Sequence, residues 1–477
     1  MADPVTDPST VPLVDAPPRL VFNGVHARGG YLRAPVTAEA LGRALLDGGR
    51  LQAAEDGVTR SRGPMVGVDA LRLESSGWGI IFPRDGDPAI RDALAPLRAL
   101  RREQAGSRYR EYVGEDGFHP DEDALSFLER HGTGPGPADP EVVPYYLLLV
   151  GGPETIPFAF EMDLNGPYAV GRLALSSVAG YAAYARAVVA AEGGAVKLPR
   201  RTAIFGVANP DDAATQQSRW HLAQPLAEAL KERHGDWTVD GVMAEAAHRQ
   251  RLIELFGADA PTLLFTASHG MGFDSGDRLQ REHQGALLCS DWQGPQKAPG
   301  PVGSENYLTA ADLPAGGFAG RIAFHFACFG GGTPTYDAFE REGVGSRLAP
   351  EPFVARLPQR LLEDPAGGAL AVVGHVDRAW GYSFLWTGVG RQTQAFRGAM
   401  SLLMQGAPVG MALDAFAQRN AALGRLLLRE LHKEMQGGQV DPRTVSSLWT
   451  AATDAASYTI LGDPAVRLPL EGGSNGL

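Results

Sequence analysis

Five continuous apolar runs constrain this chain more than any other feature. They are VPYYLLLVGG (143–152), RTAIFGV (201–207), PTLLFTASHG (261–270), RIAFHFACFGGG (321–332) and GGALAVVGHV (367–376). A short apolar run without alternation reads as a strand buried on both faces. Between and after the runs lie helical patterns, at 176–192, 221–235, about 391–405 and 409–436, and a short strand at 238–243. In 176–192, Val178, Tyr181, Ala182, Ala185, Val188 and Val189 share one stripe behind a Ser start. Strands alternating with helices predict an α/β fold, a mostly parallel sheet with helices on both faces. Ligands of such sheets bind beyond the carboxyl ends of the strands.

The 477 residues exceed one compact core of usual size. Residues 1–18 are rich in Pro and read as a disordered lead; 19–135 form an N-terminal accessory region; 136–470 carry the alternating pattern; 471–477 are a tail. The accessory region holds a strand signal, GWGIIFP (77–83), then a helix that Asp87 caps, with Pro88 first and Pro96 interrupting. HGTGPGPADP (131–140) reads as a linker.

Charge and motifs exclude several function classes. A net charge of −12 repels phosphate backbones and anionic lipid, so neither nucleic acid nor membrane is an expected partner. No apolar stretch reaches the ~20 residues of a membrane span, and the first twenty residues hold no apolar block, so a cytoplasmic location is expected. Two cysteines, Cys289 and Cys328, exclude a disulfide framework. No GxxxxGK[ST] occurs and no GxGxxG opens a helix, so nucleotide binding has no motif. No organic cofactor is expected.

Two strand ends carry reactive side chains, Ala-Ser-His269-Gly270 and Phe-Ala-Cys328-Phe-Gly330. Glycine beyond each tip lets the backbone turn and approach a ligand. A thiol attacks as thiolate, and a neighbouring imidazole can take its proton and return it to a leaving amine. His269 and Cys328 lie 59 residues apart, which leaves room for adjacent parallel strands with neighbouring tips. Backbone N–H groups at Gly270 and Cys328 would then form an oxyanion hole. This reading requires no aspartate behind the imidazole.

The segment Phe326-Ala-Cys328-Phe329-Gly330 shares the Ala-Cys-x-Gly core of the caspase signature, but not its Gln. Residues 143–468 resemble the gingipain branch of the caspase-like cysteine peptidases, and are also similar to the CHAT proteases. The resemblance is carried in order by YYLLLVGGPETIPF, YAVGRLAL (168–175), TASHG, LTAADL (308–313), FACFGG, GGALAVVGHV and YTILGDPAVRL (458–468). It implies a Cys328–His269 dyad, Gly270 in the oxyanion hole, a protein or peptide substrate and hydrolysis through a thioester. It allows calcium, which no loop motif demands, and leaves an activating partner protein open. Region 1–130 does not resemble a gingipain propeptide, so the implied enzyme is intracellular and regulated.

Specificity is less legible. Asp211 and Asp212 follow the second strand, and Trp380 could wall the same pocket; a carboxylate there would favour a basic residue before the scissile bond. The alternative for Asn209-Pro-Asp-Asp is a polar turn and helix cap, and Arg378 would favour an acidic residue instead. His325 and Cys328 sit at i and i+3 of a strand, on opposite faces, so no metal is assigned to them. Cys289 and His283 read as packing, and His375 as a structural hydrogen bond. Two rivals stand beside the peptidase: a catalytically silent caspase-fold interaction module, and an amidase acting on small molecules.

Overall fold

The computed structural model describes residues 21–32, 37–47, 63–339, 347–386 and 388–472. The lead at 1–18 and residues 473–477 lie outside them.

The apolar runs become the centre of a ten-stranded sheet. Its order is Tyr109–Tyr112, Trp78–Ile81, Tyr146–Val150, Ala169–Leu173, Tyr458–Gly462, Ala371–His375, Ile322–Phe326, Leu263–Ala267, Arg201–Gly206 and Thr238–Met243. The first five strands run parallel to one another, and so do the last five. The two halves meet antiparallel where Tyr458–Gly462 pairs Ala371–His375. Helices pack against this sheet around a core that draws on residues from Phe22 to Leu470. The sheet is thus α/β and mostly parallel, as the alternation of patterns predicts.

The accessory region is continuous with the rest. Its strands Trp78–Ile81 and Tyr109–Tyr112 extend the sheet beyond Tyr146–Val150, and its side chains share the same core. Asp87 accepts the Ala89 N–H and Pro88 opens the helix Pro88–Ala93, which breaks at Leu94 before Ala95–Ala105. Gly-Asp-Pro explains the far end. The buried Asp463 accepts from Trp78 Nε1 at 2.9 Å and from Arg101 Nε at 2.7 Å, while Arg101 also pairs with Glu192 at 2.7 Å. One carboxylate near the C-terminus therefore clasps a strand and a helix some 360 residues earlier.

The C-terminal helices Gln394–Met404 and Val409–Met435 lie close to their predicted bounds. A third, Pro442–Ala456, goes beyond the sequence reading although Asp441 caps it and Pro442 begins it. The helix expected at 221–235 starts earlier: Ala213–Ser218 leads through a wider π turn, Arg219–Ala223, into Gln224–Arg233. A second, small sheet stands beside the large one. It pairs Gly24–His26, Gly270–Gly272, Leu287–Leu288 and Tyr307–Leu308 over its own apolar cluster, which includes Val25, Met271 and Trp292.

Candidate active site

His269 and Cys328 are brought together by strand register. Ile322–Phe326 lies parallel to Leu263–Ala267 with Phe326 opposite Ala267. Two residues further along each strand stand Cys328 and His269, on neighbours whose axes are about 4.8 Å apart. The strand ends then press backbone to backbone: any Cβ on Gly270 would run into the Cys328 carbonyl. Beyond the cysteine, Phe329 takes a left-handed conformation at φ 58° and donates its N–H to the Asp377 carbonyl at 2.7 Å. Asp211 (φ 56°) and Asp377 (φ 70°) share that strained backbone region around the same cleft. Such residues cost of order 1–3 kcal/mol each and gather where geometry serves a site.

The imidazole is held from behind. His269 Nε2 lies 2.7 Å from Asp212 Oδ2. Asp212 also accepts the Tyr31 hydroxyl at 2.7 Å on its other oxygen, and the Thr215 N–H and hydroxyl on Oδ2. It is therefore at once the cap of helix Ala213–Ser218 and the partner of the ring. Burial alone would raise this carboxyl, but the His269 charge and the hydrogen bonds from His269, Thr215 and Tyr31 outweigh it and hold it at about 2. An ionised Asp212 fixes the proton on Nε2 and leaves Nδ1 as the basic nitrogen. Nδ1 is buried and has no hydrogen-bond partner.

The Cys328 thiol is buried, and its sulfur accepts the Ala379 N–H at 3.3 Å. Burial pushes its pKa well up, against the smaller pulls of that N–H and of Arg378. No hydrogen bond joins Sγ to the ring. What covers the sulfur is the chain's own N-terminal segment: a Cβ on Gly24 would sit 2.9 Å from Sγ and 3.1 Å from the cysteine Cβ. The segment crosses the cleft with a bend at Asn23, where the Gly24 N–H donates to the Phe22 carbonyl at 3.1 Å. Val21 accepts the Gly381 N–H at 3.0 Å and Asn23 donates its N–H to Ala379 at 2.9 Å, while Gly24–His26 runs parallel to Gly270–Gly272. Between these two stretches, the N–H groups of Gly270 and Cys328 both donate to the Asn23 carbonyl, each at 3.0 Å.

The other candidates scatter. Asp211 is exposed, whereas Asp212 is buried with its oxygens committed as described. Sequence reasoning needs no aspartate behind the imidazole; the structure has one, and it comes from the pair considered for a specificity pocket. Trp380 packs its ring on Phe22, with centroids 5.0 Å apart, and on Phe339 at 4.5 Å. Arg378 forms a two-pronged pair with Asp337, at 2.5 and 2.6 Å, and lies over the Phe22 ring. His375 bonds the Asp454 carbonyl at 3.0 Å, and His325 bonds Thr266 at 2.9 Å with its own pKa lowered by burial to about 3. Cys289 is buried. Among the described residues, no group of three or more His, Cys, Asp or Glu side chains is arranged to hold a metal.

Tyr31, Ser218, Ser268 and Asn23 escape the sequence reading. A lone Tyr or Ser carries no local signal, and Asn23 meets its partners across 195 and 245 residues of chain.

No family model matches the chain, and no curated protein does. Among solved structures, it is similar to the Arg-specific cysteine proteinase gingipain R, at 12% identity and TM-score 0.45, over 83% of this chain and 78% of that one. A structure described as a protease aligns at 13% identity and TM-score 0.47, over 83% and 80% of the two chains. A complex of Porphyromonas gingivalis RgpB pro- and mature domains aligns at 14% and 0.41, over 82% and 79%. The likeness is one of overall fold, to gingipain-type cysteine proteinases.

Proposed function

We propose that this chain is a cysteine endopeptidase. Cys328 attacks the carbonyl carbon of a bound peptide bond, and His269 Nδ1 takes the thiol proton and passes it to the departing amine. The Gly270 and Cys328 N–H groups hold the oxygen as it becomes negative, and water releases the resulting thioester. Asp212 keeps the ring in the tautomer that leaves Nδ1 free. One observation carries this reading: two N–H groups beside the thiol already converge on a single peptide carbonyl, that of Asn23. A preformed pair of donors aimed at a carbonyl oxygen is what acyl transfer requires.

The substrate is a protein or peptide whose backbone pairs along the cleft, as Asn23 does with Ala379 and Val21 with Gly381. The net charge suits an intracellular enzyme poorly disposed to nucleic acid, and the covered thiol suits a regulated one. A basic residue before the scissile bond finds little support, because Asp212 is committed to His269. Hydrolysis of a denatured protein substrate tests the activity. The wild-type chain should cleave it and Cys328→Ala should not; equal cleavage by both would reject Cys328.

The silent-module reading has one favourable observation, the burial of the sulfur. Residues 21–26 form one side of that cover, a Cβ on Gly24 falling 2.9 Å from the sulfur, so their movement would open that side.

A further inference from the structure

We propose that residues 21–26 are this enzyme's first substrate, that the bond cut is Asn23–Gly24, and that the cleft selects asparagine before the scissile bond. The inference rests on the reading of Cys328 as nucleophile and adds to it the substrate and the regulation.

The segment occupies the cleft as a substrate would. Its backbone pairs with Ala379 and Gly381 on one side of the Asn23 carbonyl and with Gly270–Gly272 on the other. The carbonyl between them fills the two-donor site, and the next residue, Gly24, lies against the sulfur. Phe22 is seated on Trp380 one residue before.

The Asn23 side chain is 1% exposed. Its amide Nδ2 donates to Ser218 Oγ at 3.1 Å and to the Ser268 carbonyl at 3.3 Å. Ser218 in turn donates to the Thr215 carbonyl at 3.2 Å, so its oxygen faces the amide as an acceptor. A carbonyl can only accept, which fixes the amide nitrogen on that side. Two acceptors in a buried pocket select an NH2 group. An aspartate of equal size would set a carboxylate against the Ser268 carbonyl, a contact that cannot form, and could bond Ser218 only by turning its hydroxyl away from the Thr215 carbonyl. Arginine or lysine would place a far longer side chain in a pocket already filled by asparagine.

Electrons and protons balance in two steps. The sulfur bonds the Asn23 carbonyl carbon, the thiol proton moves to His269, and the π pair moves to the oxygen. The oxygen's pair then re-forms the carbonyl as the carbon–nitrogen bond to Gly24 breaks, its pair going to nitrogen, which takes the proton from His269 and leaves a thioester. Water next adds its oxygen to the acyl carbon and gives a proton to His269. As water adds, the carbonyl π pair moves to the oxygen again; it then re-forms the carbonyl as the carbon–sulfur bond breaks, that bond's pair going to sulfur, which recovers the proton from His269. Asn23 ends as a carboxyl terminus and Gly24 as a new amino terminus. Residues 21–23 are then free to leave the cleft for other peptides.

The test uses the full chain. Intact mass and N-terminal sequencing follow wild type, Cys328→Ala and the isosteric Asn23→Asp, with circular dichroism to compare their folds. In parallel, Val-Phe-Asn, Val-Phe-Asp and Val-Phe-Arg peptides bearing a fluorogenic amide are offered to the wild type. Wild type should carry a new terminus at Gly24, formed during expression or at a rate independent of protein concentration. Cys328→Ala should stay intact, Asn23→Asp should be cut at least roughly 100-fold more slowly, and the Asn peptide should be preferred by a similar factor. A wild type that stays whole while hydrolysing peptides would overturn self-processing and leave the peptidase reading standing. A wild type that neither processes nor hydrolyses any peptide would overturn both. Scission at Gly24 in Cys328→Ala would assign the cut to the Asn–Gly bond's own succinimide chemistry and overturn the thiol route. Preference for the Asp or Arg peptide would overturn the asparagine pocket.

Discussion

Asp212 is the residue on which the chemistry proposed for the site turns. Its oxygens bind the His269 ring, the Tyr31 hydroxyl and the first turn of a helix, so the ring has one orientation and one tautomer. Asp212→Asn keeps the shape and removes the charge that fixes the tautomer. Peptide hydrolysis should fall roughly 100- to 10,000-fold in kcat with KM nearly unchanged. A loss expressed mainly in KM would mean that Asp212 binds substrate instead. The same carboxyl sets an acid limit on stability. Its folded value of about 2 lies below the ordinary value near 4, so its stabilising effect is complete above about pH 4 and is lost as pH falls toward 2. The amount is roughly 2 kcal/mol. Thermal unfolding of wild type and Asp212→Asn at pH 7 and at pH 3 measures it: the gap between them should narrow on acidification. Both cysteines are buried with raised pKa values, but Cys328 is distinguished by what covers it. Cys289 accordingly reads as packing, whereas Cys328 lies against the Gly24 backbone of the N-terminal segment.

At the level of elements, the apolar runs made the strands legible, because burial on both faces leaves no alternation to misread. The pairing of His269 with Cys328 followed from two such strands being parallel and in register, and glycine marked where each ended. Gly270 shows how tight that junction is. Gly270→Ala would drive the Cys328 carbonyl away and pull the two N–H donors off their common oxygen. Hydrolysis should drop roughly 100-fold or more while circular dichroism still reports a folded protein; full activity would show that the donors are not used. Other parts were hidden for physical reasons. Asp212 was legible as a helix cap, and nothing local says that a cap also faces a histidine 57 residues away. The segment LVFNGVHARGG has no amphipathic pattern, because its partners are the ends of other strands rather than one buried face. The helix Pro442–Ala456 is different, since its Asp-Pro start is a usable signal.

Across the whole molecule, the N-terminal third is part of the machine. Two of its strands widen the sheet, and Gly24–His26 reaches the cleft at the opposite half. Asp463 ties this region to the chain's last strand through Trp78 and Arg101. Asp463→Ala would leave the Arg101 guanidinium with only Glu192 and a buried gap, and should cost about 3–5 kcal/mol in urea unfolding; a change under about 0.5 kcal/mol would deny the clasp its role. Among the described residues no helix is long and apolar enough to cross a membrane. Every step proposed for this cleft requires one sulfur to act as a nucleophile toward a bound peptide. The direct measurement is tryptic mass mapping of the full chain after exposure to a Val-Phe-Asn acyloxymethyl ketone. The adduct should sit on Cys328, be absent from Cys289, and vanish in His269→Ala. Equal modification of both cysteines, or modification of Cys328 that survives loss of the imidazole, would contradict it.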